Sequence, residues 1–89
     1  MSVLPVPAKQ YFQDFAFSLI DVTVKRNGKQ VSIYKGLENR EHGKRYIHFF
    51  VDADIQVGDI IEMDSTPFEV LSIGYDTYEG EKQLIKVFY

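Results

Sequence analysis

The chain has 89 residues, a formal charge of −3 and a pI near 5.2, which is enough for one domain and excludes a second. It contains no cysteine, which excludes disulfides, thiolate metal sites and cysteine nucleophiles. Hydrophobic residues at 45% and charged residues at 26% describe a globular chain, no apolar run approaches the roughly 18 residues of a transmembrane helix, and the acidic balance argues against a protein that coats nucleic acid with lysine and arginine.

Val, Ile, Thr and the aromatics number 33, against 10 for Ala, Leu and Met, which points to sheet. Turn residues recur at short intervals and leave few windows for a helix. The expected fold is all-β: a single small antiparallel β-barrel of about six strands, which removes exposed sheet edges, with an extended N-terminal arm. The arm is drawn as residues 1–14 and the barrel as residues 15–89.

From the N-terminus, Met1 to Gln10 carries Pro5 and Pro7 without periodic patterning and reads as extended. It lacks a basic start, an apolar stretch and a small-residue cleavage site, so no signal peptide is expected and the protein is expected to stay inside the cell that makes it. Phe15, Phe17 and Leu19 are odd-numbered, whereas Ile20, Val22 and Val24 are even, so a strand here needs a bulge or bend near Leu19-Ile20. The competing reading is a short helical turn from about Lys9 to Ala16, with Tyr11, Phe12 and Phe15 on one face.

Asn27-Gly28 is the strongest local signal, because a two-residue type I′ loop needs positive φ at both central positions. It predicts Arg26 opposite Lys29, Val24 opposite Val31 and Val22 opposite Ile33, with Thr23 facing Ser32 and Asp21 facing Tyr34. Gly36 to Gly43 is polar and glycine-bounded, hence a surface loop. The next strand, Lys44 to Ala53, puts Ile47, Phe49 and Val51 on one face and Tyr46, His48, Phe50 and Asp52 on the other, as a central strand does. Further strands are expected at Ile60 to Met63, Phe68 to Ile73 and Lys82 to Tyr89.

No nucleophile motif, phosphate-binding glycine loop or paired-histidine spacing is present, so no catalytic residue, metal or cofactor is assigned and the protein is read as a non-enzyme. Asp52, Asp54, Asp59 and Glu62 could gather oxygen ligands, but they read first as solvated strand-end and turn residues. His48 reads as a half-buried packing residue or a pH-sensitive contact. Arg40, Lys44, Arg45, Tyr46 and His48 form the one patch with cations to track phosphates and rings to stack bases. Thirteen aromatics exceed what a small barrel easily buries, which makes Tyr11, Phe12, Phe50, Tyr75, Tyr78 and Tyr89, together with Pro5, Pro7, Leu37 and Arg40, candidates for a protein interface.

The stretch Asp54-Ile55-Gln56-Val57-Gly58-Asp59-Ile60-Ile61-Glu62, followed by Pro67-Phe68-Glu69-Val70-Leu71-Ser72-Ile73, resembles small β-barrel proteins of tailed-phage necks, the head-completion and head–tail joining proteins. The resemblance covers about residues 44–89, and the chain is shorter than typical members. It implies a virion protein, assembled in the host cytoplasm, that joins copies of itself into a ring through loops and its arm and contacts neighbouring virion proteins, with no specific nucleic acid and no membrane. The alternatives are an OB-like single-strand nucleic-acid binder using the basic patch, and a small protein-binding adaptor.

Overall fold

Eight strands join in one sheet in the computed structural model, which describes residues 2–89. In chain order these are β1 (Ser2–Val3), the helix α1 (Ala8–Asp14), a 3₁₀ turn (Ala16–Ser18), β2 (Leu19–Arg26), β3 (Lys29–Glu41), β4 (Lys44–Phe50), β5 (Ile60–Met63), β6 (Thr66–Glu69), β7 (Ser72–Tyr78) and β8 (Glu81–Phe88). The order across the sheet is β1-β7-β8-β4-β3-β2-β5-β6, and every pairing is antiparallel except that of β1 with β7. The all-β class therefore holds. β1 and β6 are the two ends of the ladder, and no hydrogen-bonded pairing joins them among the described residues.

The expected strand from Phe68 to Ile73 is two strands separated by Val70 and Leu71. Val70 N–H donates to Asp59 O at 2.9 Å and Leu71 N–H to Phe88 O at 2.8 Å, so two residues carry the chain from the β5 side of the molecule to the β8 side. The sheet curls accordingly, and the Phe68 ring comes within 5.0 Å of the Tyr89 ring.

Two-residue turns set the hairpins. Asn27 and Gly28 both have positive φ, 55° and 77°, as the type I′ loop requires. The same double-positive geometry recurs at His42-Gly43, Asp64-Ser65 and Glu79-Gly80. Arg26 pairs with Lys29 as expected, but a β-bulge between Val24 and Lys25 then shifts the register: Val24 lies opposite Ser32, Thr23 opposite Ile33, Val22 opposite Tyr34 and Asp21 opposite Lys35. Val31 is the extra residue of the bulge. The slip sends Ile33 to the solvent side, 53% exposed, and lets Tyr34 reach Phe49 inside.

The expected loop at residues 36–43 is instead the second half of β3, and the turn is only His42-Gly43. Alternation explains it: Leu37 points into a core while Glu38 and Arg40 stay exposed. Gly36 lies under β4, where a Cβ would sit 2.5 Å from Ile47 Cγ2, so this glycine serves close packing and not a turn.

The N-terminal segment departs furthest from the extended arm; Met1 lies outside the described residues. β1 pairs in parallel with Asp76 and Thr77 of β7, and Leu4 is buried. α1 realises the competing helical reading, because Ala8, Tyr11 and Phe12 recur at helical spacing and Pro7 can start a helix without a lost N–H bond. Gln83 Oε1 accepts the Ala8 N–H at 2.8 Å, and the Phe12 ring meets Phe50 edge-on at 4.4 Å. No helix is long and apolar enough to cross a membrane among the described residues.

The two faces of the central strands carry different cores. Val22, Val24, Ile47, Phe49, Ile61, Met63, Val70, Ile85 and Val87 fill the concave side. Each large side chain here contributes about 1.5–3 kcal/mol by leaving water. The outer face is covered by α1 and the chain that leads into it, where Leu4, Ala8, Phe12, Leu37 and Leu84 form the second cluster. β4 is buried on both faces, as its two-sided pattern predicts.

Candidate functional site

The outer face continues past the end of the second apolar cluster into a polar one. His48 of β4 is 4% exposed, and its Nε2 lies 2.6 Å from Asp76 Oδ2 of β7. A carboxylate at that distance accepts a hydrogen bond from Nε2–H, which leaves Nδ1 as an acceptor for Tyr11 O–H at 3.2 Å and Asn39 Nδ2–H at 3.3 Å. Lys86 Nζ sits 3.9 Å from both Asp76 Oδ1 and Glu41 Oε2. Burial pushes the His48 pKa below its ordinary value, against the raising effect of Asp76, so the neutral ring is favoured. Burial, aided by Glu41, pushes the Tyr46 hydroxyl up to about 12.

A histidine oriented by a carboxylate has the form of a general base. Here both ring nitrogens are engaged and Tyr11 packs edge-on against the ring, so the cluster fastens α1 to the sheet. Asp76 Oδ1 is buried without a hydrogen-bond partner, its nearest charge being Lys86.

On the opposite edge, Arg26 gathers two carboxylates. Its Nε and Nη2 donate to Asp59 Oδ1 and Oδ2, both at 2.9 Å, and Nη2 also reaches Asp54 Oδ1 at 3.0 Å. Asp59 Oδ2 further accepts the Gln56 N–H at 2.8 Å. The guanidinium holds the Asp59 carboxyl below the usual carboxylate range. Asp59 is therefore a buried anchor and not the solvated turn residue expected from its place after Gly58, whereas Asp52 and Asp54 are exposed. Among the described residues, no group of three or more His, Asp or Glu side chains is placed to hold a metal ion.

The basic patch is divided by strand alternation. Tyr46 and His48 are buried on the outer face, 8% and 4% exposed, so neither can stack a base. Arg40 and Arg45 face each other on the other side, and Arg45 lies over the rings of Phe68 and Tyr89 at 5.4 and 5.0 Å. Of the interface candidates, Phe12 and Leu37 are core residues, a correction that follows from α1 and the longer β3. Pro7 precedes the helix, Tyr11 is tied to His48, and Tyr75, Tyr78 and Tyr89 are partly buried, with Lys82 over the Tyr75 ring at 4.4 Å. Pro5, Arg40 and Phe50 remain at the surface.

The most exposed aromatics are two that the strand reading had placed with Leu19 on a strand face. Phe17 is fully exposed and Phe15 is 47% exposed, because the chain there is the end of α1 and a 3₁₀ turn. Their signal in the sequence is the stretch Asp14-Phe15-Ala16-Phe17, in which a helical face ends at Phe12 and two further rings follow without a facing element. Asp76, Asn39 and Gln83 were also missed, since a lone polar residue on a strand says nothing about what lies across the sheet. No family model, curated protein or solved structure matches the chain.

Proposed function

We propose that this protein is a non-enzymatic assembly module that joins copies of itself into a ring, as the resemblance to tailed-phage neck proteins implies. The observation that carries the reading is the exposure of Phe15 and Phe17 on a short, well-anchored turn. A phenyl ring left wholly in water forgoes about 2 kcal/mol of burial, and contiguous exposed apolar surface marks protein contact sites. Support also comes from the engaged state of the His48 cluster, which gives catalysis no open position.

The single-strand binder draws less support, because its two stacking candidates Tyr46 and His48 are buried and Arg45 already lies over the rings of Phe68 and Tyr89. Negative-stain electron microscopy of the concentrated protein tests the reading. Closed rings are expected, and a field of isolated 10.3 kDa particles contradicts it. The virion setting has its own test in gene position: neighbours encoding portal, capsid or tail proteins support it, and replication genes count against it.

A further inference from the structure

The aromatic turn has a complementary surface elsewhere on the same molecule. Beyond the β3–β4 turn, a groove of about 460 Å³ runs between Gly43, Lys44 and Arg45 on one wall and Leu71, Ser72, Phe88 and Tyr89 on the other. Leu71 is 63% exposed in it, and Phe88 and Tyr89 are half-buried, so its floor is apolar while Lys44 and Arg45 make one rim basic. Arg45 is held by its ring contacts with Phe68 and Tyr89. Lys44 has no ion-pair partner among the described residues.

The turn carries the matching chemistry. Asp14 precedes Phe15 and closes α1, where the carbonyl end of a helix disfavours a carboxylate and favours a cation. It too lacks an ion-pair partner among the described residues, and no basic residue lies in the last turn of α1. The turn leads into Leu19, which pairs with Leu37, whereas the groove lies beside the other end of that half of β3, where Glu41 pairs with Lys44.

We infer that Phe17 and Asp14 of one copy seat in the Leu71–Lys44 groove of the next, with Phe17 on the apolar floor and Asp14 against Lys44. The inference rests on the assembly reading and names its contact. Because the two patches are different, the contact is heterologous, and repetition either closes a ring or grows a filament. Charge complementarity selects a second copy over an unrelated apolar partner: the groove offers an unpaired cation, and the turn offers an anion next to its exposed ring.

Two variants that alter only exposed side chains test it, Phe17→Ser and Leu71→Glu. Each alone is expected to sediment as a 10.3 kDa monomer with an unchanged β-sheet circular dichroism spectrum. Mixed in equal amounts, they are expected to form a dimer and nothing larger, since the mixture holds one intact turn and one intact groove per pair. A second series keeps the rings: Asp14→Lys or Lys44→Asp alone is expected to weaken association about 5- to 10-fold, and the two together to restore it. The contact is overturned if the parent assembles but the mixture stays monomeric, or if either variant assembles like the parent. A parent that never assembles overturns the assembly reading itself.

Discussion

His48 Nε2 lies 2.6 Å from Asp76 Oδ2, although their strands are not neighbours and β8 runs between them. The two side chains meet above the intervening strand, on the face that α1 covers, and with Tyr11 they fix the helix that positions the aromatic turn. Buried polar groups here hold α1 in its orientation against the sheet.

This arrangement makes stability depend on pH with a definite sign. The folded ring resists protonation, so its pKa is lowered, while the unfolded chain takes a proton near the ordinary value of about 6.5. The unfolded state then binds more protons, and stability is expected to fall as pH drops below about 6.5. Urea denaturation between pH 7.5 and 5.5 measures this, and His48→Phe is expected to be less stable but to show a flatter dependence over the same window.

Arg26 predicts unequal costs for its two partners. Asp59→Ala leaves the guanidinium and the Gln56 N–H without a buried acceptor and is expected to cost about 2–4 kcal/mol. Asp54→Ala removes an exposed pair and is expected to cost under about 1 kcal/mol. Because the Asp59 pKa is lowered in the fold, its stabilisation is present above the ordinary carboxylate pKa and lost as pH falls through the folded value, which an acid titration of the parent and Asp59→Asn resolves.

Gly36 and Gly74 distinguish close packing from simple strand glycine. A Cβ at Gly36 meets Ile47 at 2.5 Å and Phe49 at 2.8 Å, so Gly36→Ala is expected to cost about 1–3 kcal/mol. At Gly74 the nearest atom is Phe88 Cε2 at 3.9 Å, and Gly74→Ala is expected to be neutral or slightly stabilising in thermal unfolding.

Ser65 has a φ of 66° in the β5–β6 turn, a conformation that glycine adopts more cheaply. Ser65→Gly is expected to stabilise the protein by about 0.5–1 kcal/mol, a rise of several degrees in Tm. An unchanged or lower Tm contradicts the type I′ assignment of this turn.

Much of the sheet was legible in the sequence because alternation and turn chemistry act locally: Asn27-Gly28 fixed the first pair of its hairpin, β5 fell where its pattern placed it, and β4 began at Lys44 as expected but ended at Phe50 and not at Ala53, because the chain turns at Val51 and Asp52 and Ala53 N–H bonds back to Phe50 O. The failures share a cause in distant contacts. The bulge at Val31 brings Tyr34 against Phe49, residues 37–41 extend with β4 as their partner, and α1 is received by Gln83 and Phe50. The site followed the same rule. His48 was legible as a half-buried contact, whereas Asp76 across the sheet was not, and Phe15 and Phe17 emerged as surface residues only once the strand that would have buried them proved to be a helix end.

Sedimentation equilibrium of the parent and of Phe17→Ser, across a concentration series, tests the assembly account most directly. The account predicts that the parent's mass rises to a multiple of 10.3 kDa and that the variant, with the same fold, stays at 10.3 kDa throughout. A parent that remains at 10.3 kDa at every concentration, or a variant whose mass rises with the parent's, contradicts it.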